Sequence, residues 1–395
     1  KLHPALKTIV PQVAVMPGFD APMENNVCQT SLCLGWPNDI LQYKPLPRDL
    51  YDNWYAKGSA YQELDVLAGH RNRIFQKWLR HPAYDGYWKS MVPNAEQYAA
   101  ISIPVLTTTG YYDGSQISAL QYFKLHTLYN PRAEHYLVIG PYDHHGAQKT
   151  PGDELMGYAI DPVARIGMRE LAFQWLDYIL KGAEKPKILA DKINYQVMST
   201  NQWRHAPTLD AMNDGALTLY LASGGMSLSG VRPVTAAYAS QIVDMAERST
   251  QNNYFTPVII NEELDASNGL IYLGAPAESA YSINGSFSGG LSLSSNKRDL
   301  DISIGFYEAT SDGKFFFLTR YLGRASFAAD NSERQLLATG VKTMIPIAAT
   351  RMISKRIGKG SRLAIILNVN KHPYDIINYG SGKPVSEETI DDAGT

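Results

Sequence analysis

The sequence predicts an α/β unit followed by an all-β sandwich, and three observations carry that prediction. Two apolar, β-branched tracts, Ile103-Pro-Val-Leu-Thr-Thr-Thr-Gly-Tyr-Tyr-Asp113 and Tyr136-Leu-Val-Ile-Gly-Pro-Tyr-Asp-His144-His145-Gly146, each end in a glycine-containing loop with a titratable group. Buried parallel strands deliver side chains to a sheet edge in this way. All six tryptophans (36, 54, 78, 88, 175, 203) fall in the first 203 of 395 residues. The remainder is rich in Ser, Gly and Thr with alternating apolar positions, the texture of short antiparallel strands.

Taken in order, residues 5–15 read as a first strand, and the next buried-strand signal comes only at Ile103. The intervening Trp/Tyr-rich stretch has helical spacing and includes a helix over 72–81 closed by Pro82. It predicts a helical cap over 31–95. A further helix opens near Ser115. Residues 168–180 place Leu171, Trp175 and Ile179 on one face, and Lys181-Gly182 supplies a stop. A boundary follows near 185–205. Strands are expected at 217–221, 300–307, 315–321 and 363–369, with Asp312-Gly313 turning a hairpin.

Lys plus Arg total 36 against 38 Asp plus Glu, a net charge of −2, which gives no field to recruit nucleic acid or an anionic membrane. No apolar run reaches the roughly 18 residues of a membrane span. The two cysteines, Cys28 and Cys33, make neither a disulfide framework nor a zinc pattern, and whether they pair is left open. The compartment stays open with them.

The acid comes first and the histidine second, as in the last two members of an α/β-hydrolase triad, which runs Ser, Asp or Glu, His along the chain. Asp113 could equally cap the next helix. In the His144-His145 doublet either ring could be the base. Adjacent residues seldom enter one coordination sphere, so no metal is expected. His81 reads as a helix-terminal residue, and His126 and His135 as structural. Ser31-Leu-Cys-Leu-Gly35 has the small-residue spacing of a nucleophile elbow, but no apolar strand leads into it and Trp36-Pro37 opposes a prompt helix. A buried thiol or local disulfide is the expected role of Cys33.

Five segments occur in the order of a known family: Leu2-His-Pro-Ala-Leu-Lys-Thr-Ile-Val-Pro11, Trp78-Leu-Arg-His-Pro-Ala-Tyr-Asp-Gly-Tyr-Trp88, Gly110-Tyr-Tyr-Asp113, Gly140-Pro-Tyr-Asp-His144 and Asn201-Gln-Trp-Arg204. Over nearly its whole length the chain resembles the CocE/NonD serine hydrolases, the family of cocaine esterase, X-Pro dipeptidyl-peptidase and α-amino acid ester hydrolase. The resemblance implies an α/β-hydrolase domain over 1–30 and 96–185, a helical cap over 31–95 and an all-β jelly-roll domain over 190–395. It implies Asp113 as triad acid and His144 as triad base. It implies also a serine nucleophile upstream of Lys1, since no Gly-x-Ser-x-Gly occurs in these 395 residues. The chain is thus expected to be a fragment, inactive alone.

The expected activity is cleavage of an ester or amide through an acyl-enzyme, without a cofactor, on a small-molecule ester, amide or short peptide. A catalytically inactive remnant whose jelly roll binds a ligand is the alternative. Trp78, Tyr84, Tyr87, Trp88, Tyr112 and Tyr142 are the candidate substrate-binding residues, although aromatics at such spacings also serve as core. No nucleic-acid or membrane partner is expected, and homo-oligomerisation is left open.

Overall fold

The computed structural model describes residues 3–41, 43, 45–252, 258–266 and 268–394. Leu2, which opens the first family-like segment, lies outside them, as does Thr395.

The chain opens with an extended segment and a small hairpin, β1 (Met23–Glu24) and β2 (Val27–Cys28). Helices follow: a π-helical turn at Ser31–Gly35, then α1 (Trp36–Ile40), α2 (Leu50–Lys57), α3 (Leu64–Leu67), α4 (Arg73–Leu79), α5 (Gly86–Lys89) and α6 (Ala95–Ala99). Asn72 caps α4, its Oδ1 accepting from the Ile74 and Phe75 amides at 3.0 and 3.1 Å. Trp54, Tyr61, Phe75 and Trp88 form an aromatic core for these helices, closed by Leu322, Ile376, Ile377 and Tyr379 from far along the chain.

The α/β sheet is β3 (Val105–Gly110), β4 (His135–Gly140), β7 (Ile193–Val197) and β8 (Gln202–Ala206), in that order. The first three are parallel and β8 is antiparallel. All six residues of β3 are buried, as a strand covered on both faces requires. The expected strand at 5–15 does lie parallel to β3, but only through single bridges, Ile9 to Val105 and Gln12 to Thr108. Pro11 lacks a donor for the ladder, and Val13, whose amide makes the last bond to Thr108 O at 2.8 Å, ends it with φ of 47°.

Helix α7 (Gln116–Tyr129) crosses from β3 to β4, with Leu120 and Phe123 in the sheet's core. Between β4 and β7 come the short hairpin β5 (Glu154–Leu155) and β6 (Tyr158–Ala159), then α8 (Met168–Lys181), which buries Leu171 and Trp175. Gly182, at φ of 71°, ends α8 in the left-handed conformation that glycine adopts at least cost. Trp175 Nε1 donates to Thr8 Oγ1 at 2.8 Å and ties the opening segment to this layer.

The remaining strands are β9 (Tyr220–Ala222), β10 (Ser227–Ser229), β11 (Ile260–Asn261), β12 (Leu270–Gly274), β13 (Tyr281–Ser286), β14 (Gly289–Leu293), β15 (Asp301–Ala309), β16 (Phe315–Arg324), β17 (Thr343–Ile347), β18 (Met352–Ile357) and β19 (Arg362–Val369). A seven-stranded sheet, β11-β16-β15-β19-β12-β10-β9, is antiparallel except between β10 and β12. The antiparallel pairs β13-β18 and β14-β17 stand beside it. Ile302, Ile304 and Tyr321 of the large sheet pack on Ile345 and Ile347 of β17. The hairpin expected at Asp312-Gly313 joins β15 to β16, with Thr310 N donating to Lys314 O at 2.8 Å. The strand expected at 217–221 forms only from Tyr220, because its partner β10 offers just three residues to pair with. No helix among the described residues is long and apolar enough to cross a membrane.

Candidate active site

The loops after β3 and β4 touch before either presents a side chain. Tyr111 N donates to Gly140 O at 2.8 Å and Tyr112 N to Tyr142 O at 3.1 Å. A Cβ on Gly110 would lie 1.9 Å from the Tyr142 carbonyl oxygen, so only glycine permits this approach. The crossing brings Asp113 and His144, 31 residues apart in sequence, to a 2.9 Å hydrogen bond between Oδ1 and Nδ1.

Asp113 is fully buried, and its two oxygens are shared among three partners. Oδ1 accepts from His144 Nδ1 and from the Ser115 amide at 3.0 Å, and Oδ2 accepts from Thr109 Oγ1 at 2.8 Å. Of the two readings of Asp113, the bond to His144 is made and the helix cap is not: the carboxylate closes a turn on the Ser115 amide, and α7, with Ser115 at its N-cap position, begins without a side-chain cap. An ionised carboxylate only accepts, so Nδ1 of His144 carries the proton and Nε2 keeps its lone pair. The His144 side chain is 45% exposed. Its hydrogen bond to Asp113 holds the imidazole above its ordinary 6.5, against a smaller opposing effect of partial desolvation. Gln148 Nε2 donates to the His144 carbonyl at 3.0 Å and steadies the backbone.

His145 is exposed, its ring edge-on to His144 at 5.9 Å. Among the other histidines, His81 lies just past the end of α4, with Nδ1 2.7 Å from Asp85 Oδ2. His126 and His135 meet at 3.1 Å inside the fold, where His135 also meets Thr107 Oγ1 at 2.8 Å. Burial keeps His135 neutral by depressing it to about 3.

The candidate substrate aromatics divide by burial. Trp88 and Tyr142 are fully buried, with Trp88 Nε1 bonded to His81 O and the Tyr142 hydroxyl to Ala164 O. Trp78 packs in the same core as Trp88, 5.9 Å from it. Tyr112 is half-buried and donates to Phe317 O. Tyr84 and Tyr87 lie half-buried at the edge of the helical core.

Cys33 and Cys28 are free, buried thiols whose sulfurs lie 2.7 Å apart. Burial pushes the Cys33 thiol well above its ordinary value, which leaves no thiolate for nucleophilic work. Sequence reasoning passed over Thr109, Gln116 and Arg351. Thr109 alone carried a local signal, a hydroxyl four residues before the acid.

The pair can act as a general base for a hydroxyl presented to Nε2, with the acid fixing the tautomer. No serine among the described residues is bonded to Nε2.

The family description X-Pro dipeptidyl-peptidase (S15 family) matches residues 1–146. A second, X-Pro dipeptidyl-peptidase C-terminal non-catalytic domain, matches residues 189–392. Among solved structures, an aminopeptidase from the marine sediment archaeon Thaumarchaeota archaeon aligns with a TM-score of 0.82 at 17% identity, over 99% of this chain and 69% of that one. An alpha-amino acid ester hydrolase aligns with a TM-score of 0.77 at 16% identity, over 99% and 70%. A CocE/NonD family hydrolase from Staphylococcus aureus aligns with a TM-score of 0.59 at 13% identity, over 92% and 60%. At these identities the likenesses establish the fold. No curated protein matches the chain by sequence.

Proposed function

Since the chain belongs to the X-Pro dipeptidyl-peptidase (S15) family of serine hydrolases, which act on ester or peptide bonds, we propose that Asp113 and His144 are its triad acid and base. The hydrogen bond from His144 Nδ1 to the buried Asp113 carboxylate carries this reading. With that bond made, Nε2 takes the proton of an attacking serine hydroxyl as the tetrahedral intermediate forms. It then returns the proton to the leaving alcohol or amine. Asp113 stays ionised and stabilises the imidazolium in between. Water then attacks the acyl-enzyme by the same route, and the second product leaves as a carboxylic acid. Tyr84 and Tyr87, the half-buried aromatics of the helical segment, are proposed to face a small acyl group.

The test is p-nitrophenyl ester hydrolysis by the polypeptide as its own reading frame encodes it, beside His144→Ala. Loss of turnover on the order of 10³-fold or more is expected. Undiminished turnover in the variant would remove His144 from the mechanism.

A further inference from the structure

The second unit carries a family description that calls it non-catalytic, yet it grips the loop that holds the proposed acid. Three alternate residues around Asp113 are fastened to it. The Tyr112 hydroxyl donates to Phe317 O of β16 at 3.0 Å. The Gly114 carbonyl accepts from Arg351 Nη2 at 3.2 Å. The Gln116 side-chain amide bonds both ways to Met352 of β18, donating to its carbonyl at 2.9 Å and accepting from its amide at 2.6 Å.

Gln116 is fully buried, and its Nε2 also donates to Gly110 O at 3.0 Å and Tyr111 O at 3.2 Å. One amide thus holds the end of β3 and the start of β18 together. Arg351 is nearly as buried and forms a two-pronged ion pair with Glu24 of β1, which also accepts from Gln29 at 2.8 Å. Within the loop the backbone turn bonds, Asp113 N to Gly110 O and Gln116 N to Asp113 O, are both 3.2 Å, and the Tyr111 and Tyr112 amides tie its start to the loop after β4. From Gly114 to Gln116 the loop is held by the sandwich as well as by its own turn, and small displacements of a positioned group are costly in catalysis.

The structure assigns Gln116 and Arg351 the role of positioning residues for Asp113, so that the β-sandwich sets the Asp113–His144 geometry from across the contact between the units. This rests on the reading of Asp113 and His144 as acid and base.

The readout is the titration of the His144 imidazole in this 395-residue chain, followed by NMR with labelled histidine and identified by the signal's loss in His144→Gln. Asp113→Asn sets the scale, because it must lower the His144 pKa if the pair exists. Gln116→Leu, and Arg351→Met combined with Glu24→Gln so that the Glu24 carboxylate is not left without Arg351, are each expected to give at least half of that lowering with near-UV circular dichroism retained. Arg351→Lys is expected to keep most of the wild-type value. Should the larger variants fail to fold, Tyr112→Phe, which removes one hydroxyl only, decides by the direction of its shift. Folded variants that titrate like wild type overturn the positioning role while Asp113→Asn still shows its shift. If Asp113→Asn also titrates like wild type, the acid–base pair itself falls.

Discussion

Asp113 receives three donors, and each restrains it differently: Thr109 fixes one oxygen, Ser115 fixes the turn, and His144 receives the benefit. Because that bond holds the imidazole above its ordinary 6.5, the neutral base is fully available only at a pH above that value. The kcat/KM profile is therefore expected to show an acid limb with its midpoint above 6.5. In Asp113→Asn the limb should move to lower pH, while turnover falls on the order of 10³–10⁴-fold because the tautomer is no longer held. A limb that stays in place in the variant would show that another group titrates. Asp113 and His144 stood out in the sequence because each follows an apolar run and a glycine, and their proposed roles rest on the hydrogen bond between them. Of the donors to Asp113 only Thr109 gave a local sign, since Ser115 becomes a partner only once the loop has turned.

Among the elements, α4 shows how local chemistry sets a boundary. Its expected span of 72–81 begins at Asn72, whose side chain satisfies two of the amides left open by the first turn. Asp65 Oδ2 accepts from the Asn72 amide at 2.8 Å and holds the cap in place. Asn72→Ala is expected to destabilise the protein by about 1 kcal/mol in urea unfolding, with turnover unaffected. A loss well below half of that would mean the cap is redundant with Asp65. The hairpin at Asp312-Gly313 and the stop at Gly182 were equally legible, because each depends on one residue's backbone preference. The strand at 217–221 was misjudged at its start, since strand length is decided by the partner, and β10 is short.

Across the whole molecule, buried titratable groups oppose one another as pH changes. His135 and His372 are pushed down by burial to about 3 and about 4, below their ordinary 6.5. Their contribution to stability is present above 6.5 and is lost as pH falls toward those values. Asp20 and Asp375 are pushed up by burial to about 7 from 3.8, so their contribution is present below 3.8 and is lost as pH rises through 7. Over pH 4–6.5 the two effects run in opposite directions, and the wild-type dependence should be shallow. Replacing His135 by Gln removes one side. Between pH 6.5 and 5 the variant should lose about 1.6 kcal/mol less stability than wild type, since the slope for a group that stays neutral rises to 1.36 kcal/mol per pH unit only below the unfolded value. Parallel wild-type and variant curves in urea unfolding at the two pH values would contradict the burial of a neutral His135.

What the sequence determined by itself is whatever one stretch of chain can express: the periodicity of α8, the apolar runs of β3 and β4, the turns, and the presence of a carboxylate and an imidazole just past the ends of two strands. Those features follow from backbone preference and from burial of a nearby face, which neighbouring residues encode. Tertiary structure alone decided that Gln116 bonds Met352, 236 residues away, and that Arg351 reaches both Glu24 and Gly114. It also decided that the helical segment's aromatic core closes on Ile376, Ile377 and Tyr379. The reason is physical: a buried polar group must find a partner once water is excluded, but many partners would satisfy it, and only the packed fold selects one.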